Sequence, residues 1–160
     1  MKDYKESLLA GIAAAKQAAA NRNEIKSVIS LLNNQVHEIS NSKATFGIAT
    51  FYKNAESPAA QAFFSVASLM NQRIKKETYQ ALVIADNNEK NGIEIAEWLQ
   101  DDLGYPCTIR YNGQKLFCSN KEELENSLAE LLTDIHTGEA ILTQMSAYDR
   151  NLESSDEGNG

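Results

Sequence analysis

The chain is poor in the residues that most chemistry needs. It has two histidines, two cysteines and one tryptophan among 160 residues. His37 and His136 lie far apart, with no cysteine or carboxylate at ligand spacing, which argues against a metal site. The same scarcity leaves no nucleophile with a histidine and a third orienting group. Neither glycine-rich phosphate pattern occurs, whether G-x-x-x-x-G-K followed by Ser or Thr, or G-x-G-x-x-G. No apolar run approaches the roughly 18 residues that span a bilayer. The first residues carry charges at Lys2, Asp3, Lys5 and Glu6 and lack the clean hydrophobic segment and cleavage site of a signal peptide. A basic face is missing too. Arg73, Lys75 and Lys76 form the one basic cluster, which disfavours direct nucleic-acid binding. These absences lead to the expectation of a soluble, cytoplasmic protein with no cofactor, no metal and no membrane contact.

The chain does have enough apolar residues, 42%, for a real core. Its net charge of −7 is unevenly spread: +2 over residues 1–43, −1 over 44–118 and −8 over 119–160. An acidic C-terminal surface suits a basic partner or simple solubility.

The strongest pattern lies in the first forty residues. Tyr4, Leu8, Gly11, Ala15, Ala18, Arg22, Ile25, Ile29, Leu32, Val36 and Ile39 alternate in steps of four and three. That spacing puts them on one seam of a helix, the seam a coiled coil buries. The stretch is alanine-rich and free of proline, so a helix is predicted over about 3–40. Such a helix is roughly 54 Å long, against about 40 Å for a globule of this size. It must protrude, pair with a second copy, or bend back at Asn21-Arg22-Asn23. Leu8, Ala15, Ile25, Ile29, Leu32, Val36 and Ile39 are the expected interface, of a dimer or of a helical hairpin.

Residues 44–148 read as an α+β domain, and 149–160 as a disordered acidic tail. ATFGIATFYK predicts a strand, and Ser57-Pro58 opens a segment over 58–72 that suits helix or strand. YQALVIADN predicts a buried strand. Residues 93–103 are expected to form an amphipathic helix through Ile93, Ala96, Leu99 and Leu103, capped by Gly104. Asn112-Gly113 predicts a two-residue hairpin that pairs Tyr111 with Gln114, Arg110 with Lys115, Ile109 with Leu116, Thr108 with Phe117 and Cys107 with Cys118. A helix follows, with Ser119 and Glu122 in capping-box spacing and a buried stripe of Leu124, Leu128, Leu131 and Ile135. Thr137-Gly138 interrupts before a short last helix. The expected fold class is α+β: a long N-terminal helix, a small mixed sheet and a C-terminal helical layer.

Two places could hold chemistry. Cys107 and Cys118 face each other as a hydrogen-bonded pair with Cα atoms about 5.5 Å apart, a geometry less favourable to a relaxed disulfide. Two buried thiols are the first reading and a redox switch the second. Asp86, with Glu94, Glu97, Asp101 and Asp102 on the expected next helix, could form a carboxylate set. Acidic residues early in a helix more often answer its dipole.

From Glu77 to Leu142, ETYQALV, then GYPCTIRYNGQKLFC, then a leucine-rich helix ending in TGEAI, the chain resembles small accessory proteins of temperate phages of enteric bacteria. That resemblance implies a role directed at a host or defence protein and exercised by binding it; it carries over no site residues. In size and in a pI near 4.9 the chain is also similar to acidic type III secretion chaperones, from which its long opening helix departs. The resulting expectation is a non-enzymatic homodimer that binds and modulates or inhibits another protein. DNA mimicry by the acidic region is one variant. A secretion-type chaperone and a small-molecule binder or enzyme with its site near Asp86 are the alternatives.

Overall fold

A computed structural model describes residues 1–53 and 77–158, with side chains to Ser154. The segment over 58–72, its Ser57-Pro58 start and the basic cluster at 73–76 lie outside the described residues. The α+β class is as expected. Helix α1 (Lys5–Ile39) is followed by strands β1 (Ala44–Tyr52), β2 (Thr78–Asp86), β3 (Ile93–Asp101), β4 (Gly104–Tyr111) and β5 (Gln114–Cys118), then helices α2 (Lys121–Leu132) and α3 (Ile135–Gly158). The five strands lie in chain order in one sheet, and every described pairing is antiparallel rather than mixed.

α1 runs unbroken through Asn21-Arg22-Asn23, so the hairpin does not form. Its second half packs on the sheet instead. Ile25, Val28, Leu32 and Val36 join Leu82, Ile84, Trp98 and Ile109 in one core, which α2 closes with Leu124, Leu128 and Leu131. Each such side chain contributes about 1.5–3 kcal/mol on burial. The chain reverses after α1 around Ser40, fully buried, whose Oγ accepts the Ala44 N–H at 3.0 Å. Asn33 Oδ1 then accepts the Phe46 N–H at 2.9 Å, which ties β1 to the helix.

The largest departure from expectation is residues 93–101, which are a strand and not a helix. Leu82 pairs with Ala96 and Val83 with Glu94, so Ile95 is an extra residue, a β-bulge. A bulge shifts the period-two alternation by one. Ile93 and Ile95 alternate before it, Ala96 and Trp98 after it, and the joined pattern imitates a helical three-four spacing. Leu99 and Leu103, assigned to the buried side of that helix, are 51% and 58% exposed. Gly104 ends no helix; it follows the turn between β3 and β4 with φ +93°.

The β4–β5 hairpin has the expected register at all five pairs. Asn112 and Gly113 both take positive φ, as a two-residue turn of this kind requires. Cys107, Ile109 and Cys118 are fully buried. The cap of α2 sits one residue later than expected. Asn120 Oδ1 accepts the Glu123 N–H at 2.9 Å, and Glu123 Oε2 accepts the Ser119 N–H at 2.6 Å. Ile135 is 73% exposed and leaves the stripe that Leu124, Leu128 and Leu131 complete.

The last helix begins before Thr137-Gly138, not after it, and continues to Gly158, where a disordered tail was expected from 149. It packs chiefly against β2, with lesser contacts to β3 and β1. Gln144 Nε2 donates to Ile84 O and Asn91 O at 3.1 and 2.8 Å, and Asp149 pairs with Lys43 at 2.7 Å. No described helix is long and apolar enough to cross a membrane.

Candidate protein-interaction surface

The seam residues of α1 divide into two groups. Ile25, Leu32 and Val36 are buried in the chain's own core, and Ile29 packs against it half-buried. Leu8, Ala15 and Ile39 are exposed. The heptad spacing therefore records two environments along one helix: from Ala18 to Val36 it covers the sheet, and before Ala18 it covers nothing among the described residues.

The junction between the halves is built by polar residues. Asn21 Nδ2 donates to Leu103 O at 3.0 Å and Arg22 Nη1 to Asp102 O at 2.7 Å. A Cβ on Gly104 would lie 2.6 Å from Asn21 Cβ, so the β3–β4 turn reaches the helix only because residue 104 has no side chain. Tyr105 O–H donates to Glu24 Oε1 at 2.8 Å; burial, then this carboxylate, pushes the phenol pKa up. Arg22, an awkward residue for a hydrophobic seam, is thus the latch that holds the turn.

Beyond this latch, residues 5–17 are exposed on every side. They include Leu8 and Leu9, each 65% exposed, and Ile12, 53% exposed, with Tyr4 just before the helix at 63%. A helical segment apolar nearly all round belongs in contact with something, and about 13 residues of isolated helix are marginal in water. This arm extends about 20 Å. Leu9, Ile12 and Leu31, which is 59% exposed, are surface residues that the seam reading passed over. In the arm the available signal was Ile12, three residues after Leu9 and four after Leu8. A second apolar patch lies on the sheet face opposite α1, where Leu99, Thr108 and Phe117 are consecutive cross-strand neighbours and Phe117 is 66% exposed.

The chemistry candidates are placed differently. Asp86 is occupied by its own loop: Oδ1 accepts the N–H groups of Asn88 and Lys90 at 2.9 Å, and Oδ2 accepts Asn91 Nδ2 at 2.8 Å. Partial burial opposes ionisation, but these bonds outweigh it and lower the carboxyl pKa. The five carboxylates do not gather. Asp101 Oδ2 accepts the Leu103 N–H in the turn at the opposite end of β3 from Asp86. Glu94 and Glu97 line a shallow groove of about 410 Å³ with Tyr79, Arg110, Tyr111 and His136. There Glu97 pairs with Arg110 at 3.5 Å. Burial, then the adjoining Glu94 carboxylate, raises the Tyr79 pKa.

Both cysteines are free thiols. Burial, then the neighbouring Cys118, pushes the Cys107 pKa up to about 12, and burial raises that of Cys118. His136 Nδ1 lies 3.7 Å from Glu139, and His37 sits half-buried near the end of α1. The described residues contain no group of three or more potential metal ligands. Compared with protein families, with curated proteins and with solved structures, the chain matches none.

Proposed function

We propose that this chain is a non-enzymatic, protein-binding protein that acts as a homodimer and modulates or inhibits the protein it binds. The observation that carries this reading is the arm of α1. Residues 5–17 present Leu8, Leu9 and Ile12 to solvent and have no part in the core formed by the described residues. Exposed contiguous apolar surface of this kind marks interaction sites. The Leu99–Phe117 patch offers a separate face, so dimerisation and partner binding need not compete for one surface. The phage-accessory likeness of residues 77–142 favours a host or defence protein as the partner, in the cytoplasm.

The test is affinity capture of the tagged full chain from bacterial lysate, followed by reconstitution with the purified captured protein. The expected result is a complex of fixed stoichiometry that weakens when Phe117→Asp or Leu9→Asp is introduced. A captured protein that does not re-bind when purified, or one that binds both variants unchanged, overturns the reading.

A further inference from the structure

We infer that two copies of this chain pair antiparallel along the outward face of α1, about a two-fold axis at Ala20. This rests on the homodimer reading above and assigns its surface. That surface is not the heptad seam, half of which is spent on the sheet.

The outward face lies about 140° around the helix from the buried residues. Glu6, Leu9, Ala13, Lys16, Ala20, Glu24, Ser27, Leu31 and Asn34 succeed one another there in steps of three and four, and all are exposed. Laid against a reversed copy of itself, the face is complementary position by position. Leu9, 65% exposed, meets Leu31, 59% exposed. Lys16 meets Glu24, whose Oε1 also accepts the Tyr105 O–H of its own chain, and Ala13 meets Ser27. Glu6 meets the neutral Asn34, and Ala20 meets its own copy. A two-fold axis repeats every pair, giving two leucine contacts and two opposite-charge contacts with no like charges opposed.

A parallel pairing of the same face would set Glu6, Lys16 and Glu24 against their own copies, which the charge pattern opposes. The small centre at Ala13, Ala20 and Ser27 lets the axes approach closely, toward the lower end of the 8–10 Å range. A shallow hollow of about 580 Å³ flanks this face, lined by its Ser27, Leu31 and Asn34 and, beside it, by Asn23, Lys26 and Ser30. The pairing also covers Leu9 of the arm, while Leu8 and Ile12 lie off that face. In the dimer each arm lies along the second half of the partner's α1, and the contact covers roughly 40 Å of helix. Arm against arm alone would use about 20 Å, roughly half that length.

The experiment uses the full chain, with light scattering for mass and oxidative cross-linking for register. Ala20→Cys places a thiol on the axis. Lys26→Cys places one off the face, and Ala15→Cys marks the heptad seam. The native thiols are buried and do not compete. The expected result is a dimer in which Ala20→Cys cross-links and the other two do not. Leu9→Asp with Leu31→Asp should raise the dimer dissociation constant roughly 100-fold while leaving the circular dichroism unchanged, because both sites are exposed. Lys16→Glu should weaken the dimer, and Glu24→Gln, which keeps an acceptor for the Tyr105 O–H, should weaken it likewise. A dimer that cross-links through Ala15→Cys and not Ala20→Cys overturns this face while leaving the homodimer reading standing. A monomer at every accessible concentration overturns both.

Discussion

Single residues hold this fold at points where a substitution has a calculable consequence. Gly104 combines φ +93° with a backbone approach that leaves no room for a Cβ against Asn21. Gly104→Ala is expected to destabilise by about 2–4 kcal/mol, the sum of a left-handed conformation and an overpacked contact; urea denaturation measures it, and a loss below about 1 kcal/mol would show that the turn shifts freely. Asp86 acts through its charge on three donors. Its folded pKa is lowered, so its contribution is present above the unfolded carboxyl pKa of about 3.9 and fades as pH falls through the folded value. Asp86→Asn should therefore cost about 1–2 kcal/mol at pH 7, because one amide would turn N–H donors against donors. The gap from wild type should close in acid; equal losses at pH 7 and pH 3 would contradict the charge argument. Cys107 and Cys118, buried with raised pKa values, should resist a thiol reagent at pH 8 and react when the chain unfolds. Rapid labelling of the native protein would place them elsewhere.

At the scale of elements, legibility in the sequence followed how local the determining physics was. The β4–β5 hairpin was readable to the residue because Asn112-Gly113 fixes turn and register together. The Leu124–Leu131 stripe of α2 was readable because one helix face meets one core. β3 was not readable: the Ile95 bulge joins two strand phases into a pattern that resembles a helix, and only pairing with β2 reveals the offset. The extent of α1 was legible, yet its seam was not uniform, because a heptad spacing does not say whether a sheet or a second helix covers it. The candidate surface was only partly visible for the same reason. Leu8 was on the seam, whereas Leu9, Ile12 and Leu31 stand out as exposed apolar residues only once the sheet has taken the other side. This distinction is measurable. Leu32→Ala should cost about 2–4 kcal/mol because it opens a cavity in the core. Ile39→Ala, at a position 76% exposed, should fall within about 0.5 kcal/mol of wild type. Equal costs would return both residues to one continuous buried seam.

For the molecule as a whole, the arm and the body are separable in energy even though one helix joins them. Among the described residues the burial of α1 begins at Ala18, and Asn21 and Arg22 bond to the β3–β4 turn. Residues 5–17 add intrahelical hydrogen bonds exposed to water, which alone barely offset the entropy of ordering them. Removing residues 1–17 should therefore leave a folded body with cooperative unfolding, its stability as a dilute monomer within about 1 kcal/mol of the full chain. Association should behave in the opposite way. If the chain dimerises as proposed, the full chain should gain stability with protein concentration, because dimerisation draws on the native state alone, and its Tm should rise as concentration is raised. The shortened chain, lacking Leu9, Ala13 and Lys16, should show a Tm independent of concentration. Thermal melts of both chains over a hundredfold range of concentration separate the two contributions in one experiment. If the shortened chain unfolds without cooperativity, the arm is part of the fold. If its Tm still climbs with concentration in parallel with the full chain, the contact between copies lies on the body.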